Sequence, residues 1–261
     1  MNVNGKAALV TGAGKGIGKA AAVRLAAAGA AVAVVDLDER AVQETVRDIE
    51  SAGGKAAGYV TDVSREEQVA DTVRRIEERF GRIDILVNCA GIQRYGTVVD
   101  TSVELWDEVT NVNLKGVFLM CKHVIPVMRK QQGGAIVNIS SVQAFVTQKQ
   151  VAAYTASKGA INALTRAMAV DHAAEGIRVN AICPASVDTP MLRWAAGLFG
   201  GDVEETVKSW GKAHPIGRVA RADEIAEAVL FLASDSSSFI TGSELKVDGG
   251  TTSMIAVALP D

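Results

Sequence analysis

Short apolar runs and amphipathic stretches alternate along almost the whole chain. Seven runs, at 7–10, 31–35, 56–60, 85–88, 135–139, 177–182 and 245–247, read as strands. Several, such as "AVAVV" and "AIVNI", are apolar at successive positions. Such strands are covered on both faces, as in a parallel sheet between helix layers. Apolar positions recurring at helical spacing predict helices at 16–28, 39–52, 65–79, 103–130, 154–174 and 222–233. Asp38 and Ser64 stand where N-caps belong, with Glu39 soon after the first and Glu66 and Glu67 after the second. Pro126 is expected to kink or shorten the long fourth helix. Alternation this regular predicts an α/β fold: a doubly wound parallel sheet of about seven strands with helices on both faces. No composition shift or linker divides residues 1–261, so a single domain is expected. The rhythm breaks only between Ile182 and Arg221. A long interruption inside a compact domain is usually a functional or helical insertion, and a substrate lid is expected at about 186–218.

Composition narrows the class. Hydrophobic residues make up 48% of the 261 and charged residues 22%, enough for a sizeable core. The net charge of -3, with acids and bases interspersed, carries no nucleic-acid footprint and no polybasic membrane patch. Three cysteines, Cys89, Cys121 and Cys183, lie at wide, unpatterned spacings, which fits a reduced compartment better than a disulfide framework. The N-terminal stretch reaches a strand without a basic leader, and the apolar run at 25–35 is too short to span a bilayer. A soluble, cytoplasmic protein is expected.

The first candidate chemistry is "LVTGAGKGIGKAAAVRLA", which sets Gly12, Gly14, Gly16 and Gly18 between the first strand and first helix. Glycines let the backbone turn sharply there, and the free N–H groups of the helix start favour a pyrophosphate. Such a run can also be a plain tight turn; strand, turn and helix in this order favour a Rossmann-type dinucleotide site. Asp36 closes the second strand, where an acid can bind an adenosine ribose and repel a 2′-phosphate, pointing to NAD. Lys15 pulls towards NADP, because a cation in the turn could pair with that phosphate.

The second is "YTASK". Tyr154 and Lys158 are four residues apart and share a helical face. An unperturbed phenol is a poor base at neutral pH, but a nearby ammonium or an oxidised nicotinamide favours the phenolate. An isolated pair of this kind is usually a solvated helix face. Here Ser140 and Ser141 end the fifth strand, at the sheet edge where ligands bind in this architecture. Asn113, in "NVNLKG", falls inside the long fourth helix, where Asn has poor preference, and could hold a water or a lysine. His123, His172 and His214 show no metal-ligand spacing and read as helix-surface or loop histidines; no metal site is expected. Cys89 and Cys183 read as small buried residues.

Taken together, "TGAGKGIG", Asp62–Val63, "NCAG" at 88–91, Asn113, Ser141, "YTASK", "RVNAICPASVDTP" and "VDGG" resemble the short-chain dehydrogenase/reductase family over essentially the whole chain. The resemblance implies that Tyr154 is the acid/base, Ser141 orients the substrate oxygen, Lys158 lowers the tyrosine pKa and binds the nicotinamide ribose, and Asn113 holds a relay water. Ser141 is preferred to Ser140 because the family's serine usually lies thirteen residues before its tyrosine. It further implies cofactor contacts from Gly12, Lys15, Gly16, Ile17, Gly18, Asp36, Leu37, Asp62, Val63, Asn88, Ala90, Gly91, Pro184, Val187 and Thr189, besides Tyr154 and Lys158. Cys89 departs from the usual "NNAG", and Ala185–Ser186 from the usual "PG" pattern at Pro184. A homotetramer packed through 103–130 and 154–174 is also implied.

The activity expected is NAD-dependent interconversion of a secondary alcohol or hemiacetal with its carbonyl. Gln93, Arg94, Gln143, Gln150, Arg193 and Trp194 form the candidate substrate pocket, whose hydrogen-bonding groups suggest a sugar, polyol or similar small polar alcohol. The alternatives are a 3-oxoacyl-thioester reductase using NADPH and a dinucleotide-binding regulator without catalysis.

Overall fold

β1 (Ala7–Thr11) is buried along its whole length and is the strand about which the topology turns. The structure is a computed structural model and describes residues 1–254. β2 (Ala31–Asp36) and β3 (Lys55–Val60) extend the sheet on one side of β1. β4 (Ile85–Asn88), β5 (Gly134–Ile139), β6 (Ile177–Pro184) and β7 (Glu244–Val247) extend it on the other. The order is β3-β2-β1-β4-β5-β6-β7, every pairing parallel. Because the chain changes direction between β1 and β4, the loops leaving these strands part and open a crevice at the carboxyl edge.

Two apolar layers cover the sheet, and neighbouring residues of one strand feed opposite layers, as a two-residue period requires. Val10 packs with α1 (Gly16–Ala27) and α9 (Ala222–Ala233), through Leu25, Ile225 and Val229. Leu9 faces the other layer, formed by α3 (Glu66–Phe80), α5 (Gly116–Lys130) and α6 (Ala152–His172), through Val73, Met120 and Ile161. α2 (Glu39–Ser51) lies beside β3 and is capped by Asp38, which accepts from the Ala41 N–H at 3.1 Å.

The expected cap at Ser64 is not made. Its N–H and hydroxyl both donate to Asp62 Oδ1, at 2.9 and 2.6 Å, so it closes a local turn while α3 starts one residue later. The expected helix at 103–130 is in three pieces: α4 (Val103–Thr110), a π turn at Asn111–Lys115, and α5. Pro126 does not stop α5, which runs on to Lys130. Buried Val124, Ile125, Val127 and Met128 hold the helix where proline removes one backbone bond. Between β6 and α9 lie α7 (Pro190–Leu198) and α8 (Val203–Gly211), so the long interruption is largely helical. Among the described residues no helix is long and apolar enough to cross a membrane.

Candidate active site

A cleft of about 720 Å³ opens at the carboxyl edge, with the glycine turn at one end and α7 and α8 at the other. α1 starts without a side-chain cap, leaving its first N–H groups directed to the cleft that Gly16, Ile17 and Gly18 line. The turn admits no side chains at two points. Gly12 has φ 62, and a Cβ there would come within 2.8 Å of the Ala90 backbone. A Cβ on Gly18 would lie 2.1 Å from the Gly12 carbonyl oxygen.

The Asp36 carboxylate is fixed by the N–H groups of Gly14 (2.9 Å) and Asp38 (3.0 Å) and lines the same end of the cleft. Lys15 also lines it, but its ammonium bonds Asp38 at 2.8 Å. Arg40, nearby on α2, pairs with Glu44 at 2.9 Å. The positive charge that sequence placed opposite Asp36 is therefore already neutralised. These features fit a dinucleotide: bare N–H groups for a pyrophosphate, no room for side chains in the turn, and an acid at the ribose position.

Thr11 ties the glycine turn to "NCAG". Its hydroxyl oxygen accepts from the N–H groups of Cys89 (3.0 Å) and Ala90 (3.1 Å). Asn88 does not line the cleft; it donates to Asn138 Oδ1 (2.9 Å), and the Asn138 Nδ2 donates to the Thr165 hydroxyl on α6 (2.9 Å). Asn113 is fully buried in the π turn. Its amide bonds both backbone groups of Ile92, at 2.8 and 2.9 Å, and donates to the Ser157 hydroxyl at 3.1 Å. The side chain thus clamps the loop after β4 against α6.

Ser141 Oγ accepts from the Gln143 N–H at 3.1 Å, which leaves its hydroxyl hydrogen free to donate into the cleft. Ser140 instead donates to the Lys158 carbonyl at 3.1 Å and pins α6 to the end of β5. The Lys158 ammonium donates to the Ile139 carbonyl at 2.8 Å and sits 5.4 Å from the Tyr154 ring centroid. Burial pushes Lys158 down to about 8. Burial also pushes the Tyr154 phenol up to about 12, opposed by the adjacent Ser141 hydroxyl. The protein's own surroundings therefore keep the phenol protonated, and lowering it requires positive charge brought into the cleft.

Gly91, Pro184, Val187 and Thr189 line the cleft, as do Gln93 and Gln143. Other expected contacts stand outside its lining. Leu37 is exposed, Asp62 holds Ser64, and Val63 packs where a Gly116 Cβ would be. Ala90 is a hinge on Thr11. Arg94 bonds Glu108 at 2.5 Å, and Arg193 bonds Asp188 at 2.7 Å and also Glu204. Gln150 turns away through a left-handed backbone (φ 63) and offers its carbonyl to Gly96. Trp194 packs 6.2 Å from Tyr95 outside the lining. Beside Gln93 and Gln143, Tyr95, Gln148, Trp210 and His214 line the substrate end. His214, expected on a helix surface or in a loop, lies in the turn after α8 and is 6% exposed. Cys89 also faces the cleft, with its thiol pushed up to about 12 by desolvation, which makes it a poor nucleophile.

A family model described as enoyl-(acyl carrier protein) reductase matches residues 12–252. The chain is 43% identical to cis-4-hydroxycyclohexanecarboxylate dehydrogenase of Sinomonas cyclohexanicum, over 95% of this chain and 97% of that protein. It is 40% identical to a 3-oxoacyl-[acyl-carrier-protein] reductase of Thermotoga maritima, over 96% and 99%. The structure of Thermoplasma acidophilum aldohexose dehydrogenase superimposes with a TM-score of 0.88 at 39% identity, covering 99% of this chain and 98% of that one. With Tyr154, Lys158 and Ser141 gathered beside a glycine-turn cleft, the chain belongs to the short-chain dehydrogenase/reductase family, oxidoreductases of CH–OH groups that use NAD or NADP.

Proposed function

We propose that this enzyme interconverts a neutral secondary alcohol or hemiacetal, of the sugar, polyol or cyclic alcohol kind, with its carbonyl, using NAD. One observation carries the reading: the only charged side chains lining the cleft, among the described residues, are Lys15, Asp36 and Lys158, all at its cofactor end. The substrate end has amides and aromatic rings (Gln93, Gln143, Gln148, Tyr95 and Trp210) and no free cation for a carboxylate or phosphate. The guanidiniums of Arg94 and Arg193 are engaged by acids. Asp36, with Lys15 and Arg40 both paired, favours NAD.

A dinucleotide bound here supplies the hydride acceptor. Ser141 donates its hydroxyl hydrogen to the substrate oxygen, since its own lone pair receives the Gln143 N–H. In oxidation the Tyr154 phenolate, formed once positive charge in the cleft has released the phenol's own proton, takes the substrate hydroxyl proton as hydride leaves the carbon for the dinucleotide acceptor; in reduction the phenol gives its proton to the new alkoxide. Lys158, anchored on Ile139, has further ammonium hydrogens for ribose hydroxyls and places positive charge beside the phenol. The Asn113 side chain is engaged with Ile92 and Ser157, so it positions the loop. The segment at 186–218 serves as lid to a single dinucleotide-binding domain. Exposed Val103, Trp106, Phe118 and Val170 on α4, α5 and α6 support a homotetramer, and the cytoplasm is the compartment that fits the unpaired cysteines.

The test is a turnover screen of neutral cyclic alcohols, polyols and sugars against 3-oxoacyl thioesters, each with NAD and NADP cofactors. NAD-dependent turnover of a neutral alcohol is expected, falling by about 10²–10⁴-fold in Tyr154→Phe with NAD binding intact. Unchanged turnover in that variant, or preference for thioesters with NADPH, refutes the reading.

A further inference from the structure

The strongest unexplained group at the cleft is His214, in the turn after α8. Its Nδ1 lies 3.0 Å from the Trp210 carbonyl oxygen. A carbonyl only accepts, so Nδ1 carries the hydrogen. Nε2 is then an acceptor, and the Ser186 N–H donates to it at 3.2 Å. The ring is thus fixed as one neutral tautomer, with both nitrogens used and 6% of the residue exposed.

The two ends of this strut belong to opposite walls. Ser186 starts the strand-like segment leading to Thr189, held on its other side by Ala220 through bonds of 2.9 and 2.8 Å. Thr189 lies over the glycine turn, 3.2 Å from where a Gly16 Cβ would be. Trp210 lines the substrate end and meets Phe199 edge-on at 6.1 Å, which meets Tyr95 at 5.8 Å. One imidazole therefore joins the aromatic wall to the segment covering the cofactor end. Here the sequence departs from "PG" to Ala185–Ser186.

We propose that His214 is a positioning residue that locks the lid to the Ser186–Thr189 segment and so sets cofactor affinity, not the chemical step. The proposal rests on the dinucleotide reading of the cleft. Its test compares variants by direct NAD titration and by steady-state kinetics, with circular dichroism confirming the fold. His214→Leu keeps bulk and removes both bonds; it is expected to weaken NAD binding and raise KM for NAD roughly ten-fold, as for a buried N–H left unpaired. The loss falls more heavily on KM for NAD than on kcat at saturating NAD, because the proton-transfer groups are untouched. His214→Gln offers an amide oxygen to Ser186 and restores most of the affinity. His214→Asn is too short to reach Ser186 and resembles the leucine variant; the Asn–Gln pair decides the matter should leucine prevent folding. NAD affinity in His214→Leu within two-fold of wild type, or equal weakening in Gln and Asn, overturns the proposal. Wild-type protein that binds neither NAD nor NADP overturns the dinucleotide reading itself.

Discussion

Replacing Lys158 by methionine separates stability from function at a single residue. Lys158 is 5% exposed, and its pKa is pushed down from 10.5 to about 8, chiefly by burial. Holding the ammonium in that position costs about 3 kcal/mol at neutral pH. Methionine removes this cost and fills similar space, but strands the Ile139 carbonyl that now accepts at 2.8 Å, which returns about 1 kcal/mol. Lys158→Met is therefore expected to be more stable by about 2 kcal/mol at pH 7 and to lose nearly all turnover. The pH dependence identifies the cause. The unfolded lysine keeps its proton up to about 10.5 and the folded one releases it from about 8. Between these values the unfolded chain binds more protons, so the lysine's contribution to wild-type stability rises with pH; below 8 the full cost is present. The variant lacks that rise. Urea unfolding of both proteins at pH 7, 8, 9 and 10 should show its advantage largest at pH 7–8 and shrinking towards pH 10. A variant less stable at pH 7, or a difference independent of pH, refutes the argument.

Two further perturbations test the cofactor end. Asp36→Ser removes the carboxylate that faces the ribose position, and is expected to narrow the NAD-over-NADP preference by about ten-fold or more, read as the ratio of kcat/KM values. Gly18→Ala drives a methyl group to 2.1 Å from the Gly12 oxygen; it is expected to lower stability by about 2 kcal/mol or more and to abolish dinucleotide binding, measured by chemical unfolding and by titration.

What the sequence makes legible here is what short-range pattern controls. All seven strands of the described residues stand where apolar runs of three to six residues predict them, and Tyr154, Lys158 and Ser141 meet in one cleft because each sits at a fixed offset from a strand or helix end. The π turn at Asn111–Lys115 has no such signal. "NVNLKG" gives poor helix preference, yet nothing in it says the chain will continue helically with one wider turn. That turn exists because buried Asn113 reaches Ile92 and Ser157, 21 and 44 residues away in sequence. His214 was hidden for a like reason: its two partners, Trp210 and Ser186, belong to different elements, and a lone histidine in an irregular stretch has no period.

The electrostatics of the cleft follow the same rule and decide more about substrate choice. In isolation Lys15 reads as a cation available to a phosphate, and Arg94 and Arg193 as hydrogen-bonding groups of the substrate pocket. In the fold each meets an acid: Asp38 at 2.8 Å, Glu108 at 2.5 Å, and Asp188 at 2.7 Å with Glu204 besides. These surface pairs add little to stability, because water and salt screen them. Their consequence lies in what they withhold. A phosphate or carboxylate at the substrate end that sought Arg94 or Arg193 would have to displace an acid already bound there, whereas a neutral hydroxyl compound meets amides and aromatic faces. The charge count of the chain is fixed by composition, but the charge presented to a substrate is fixed by pairing, and pairing is a property of the fold.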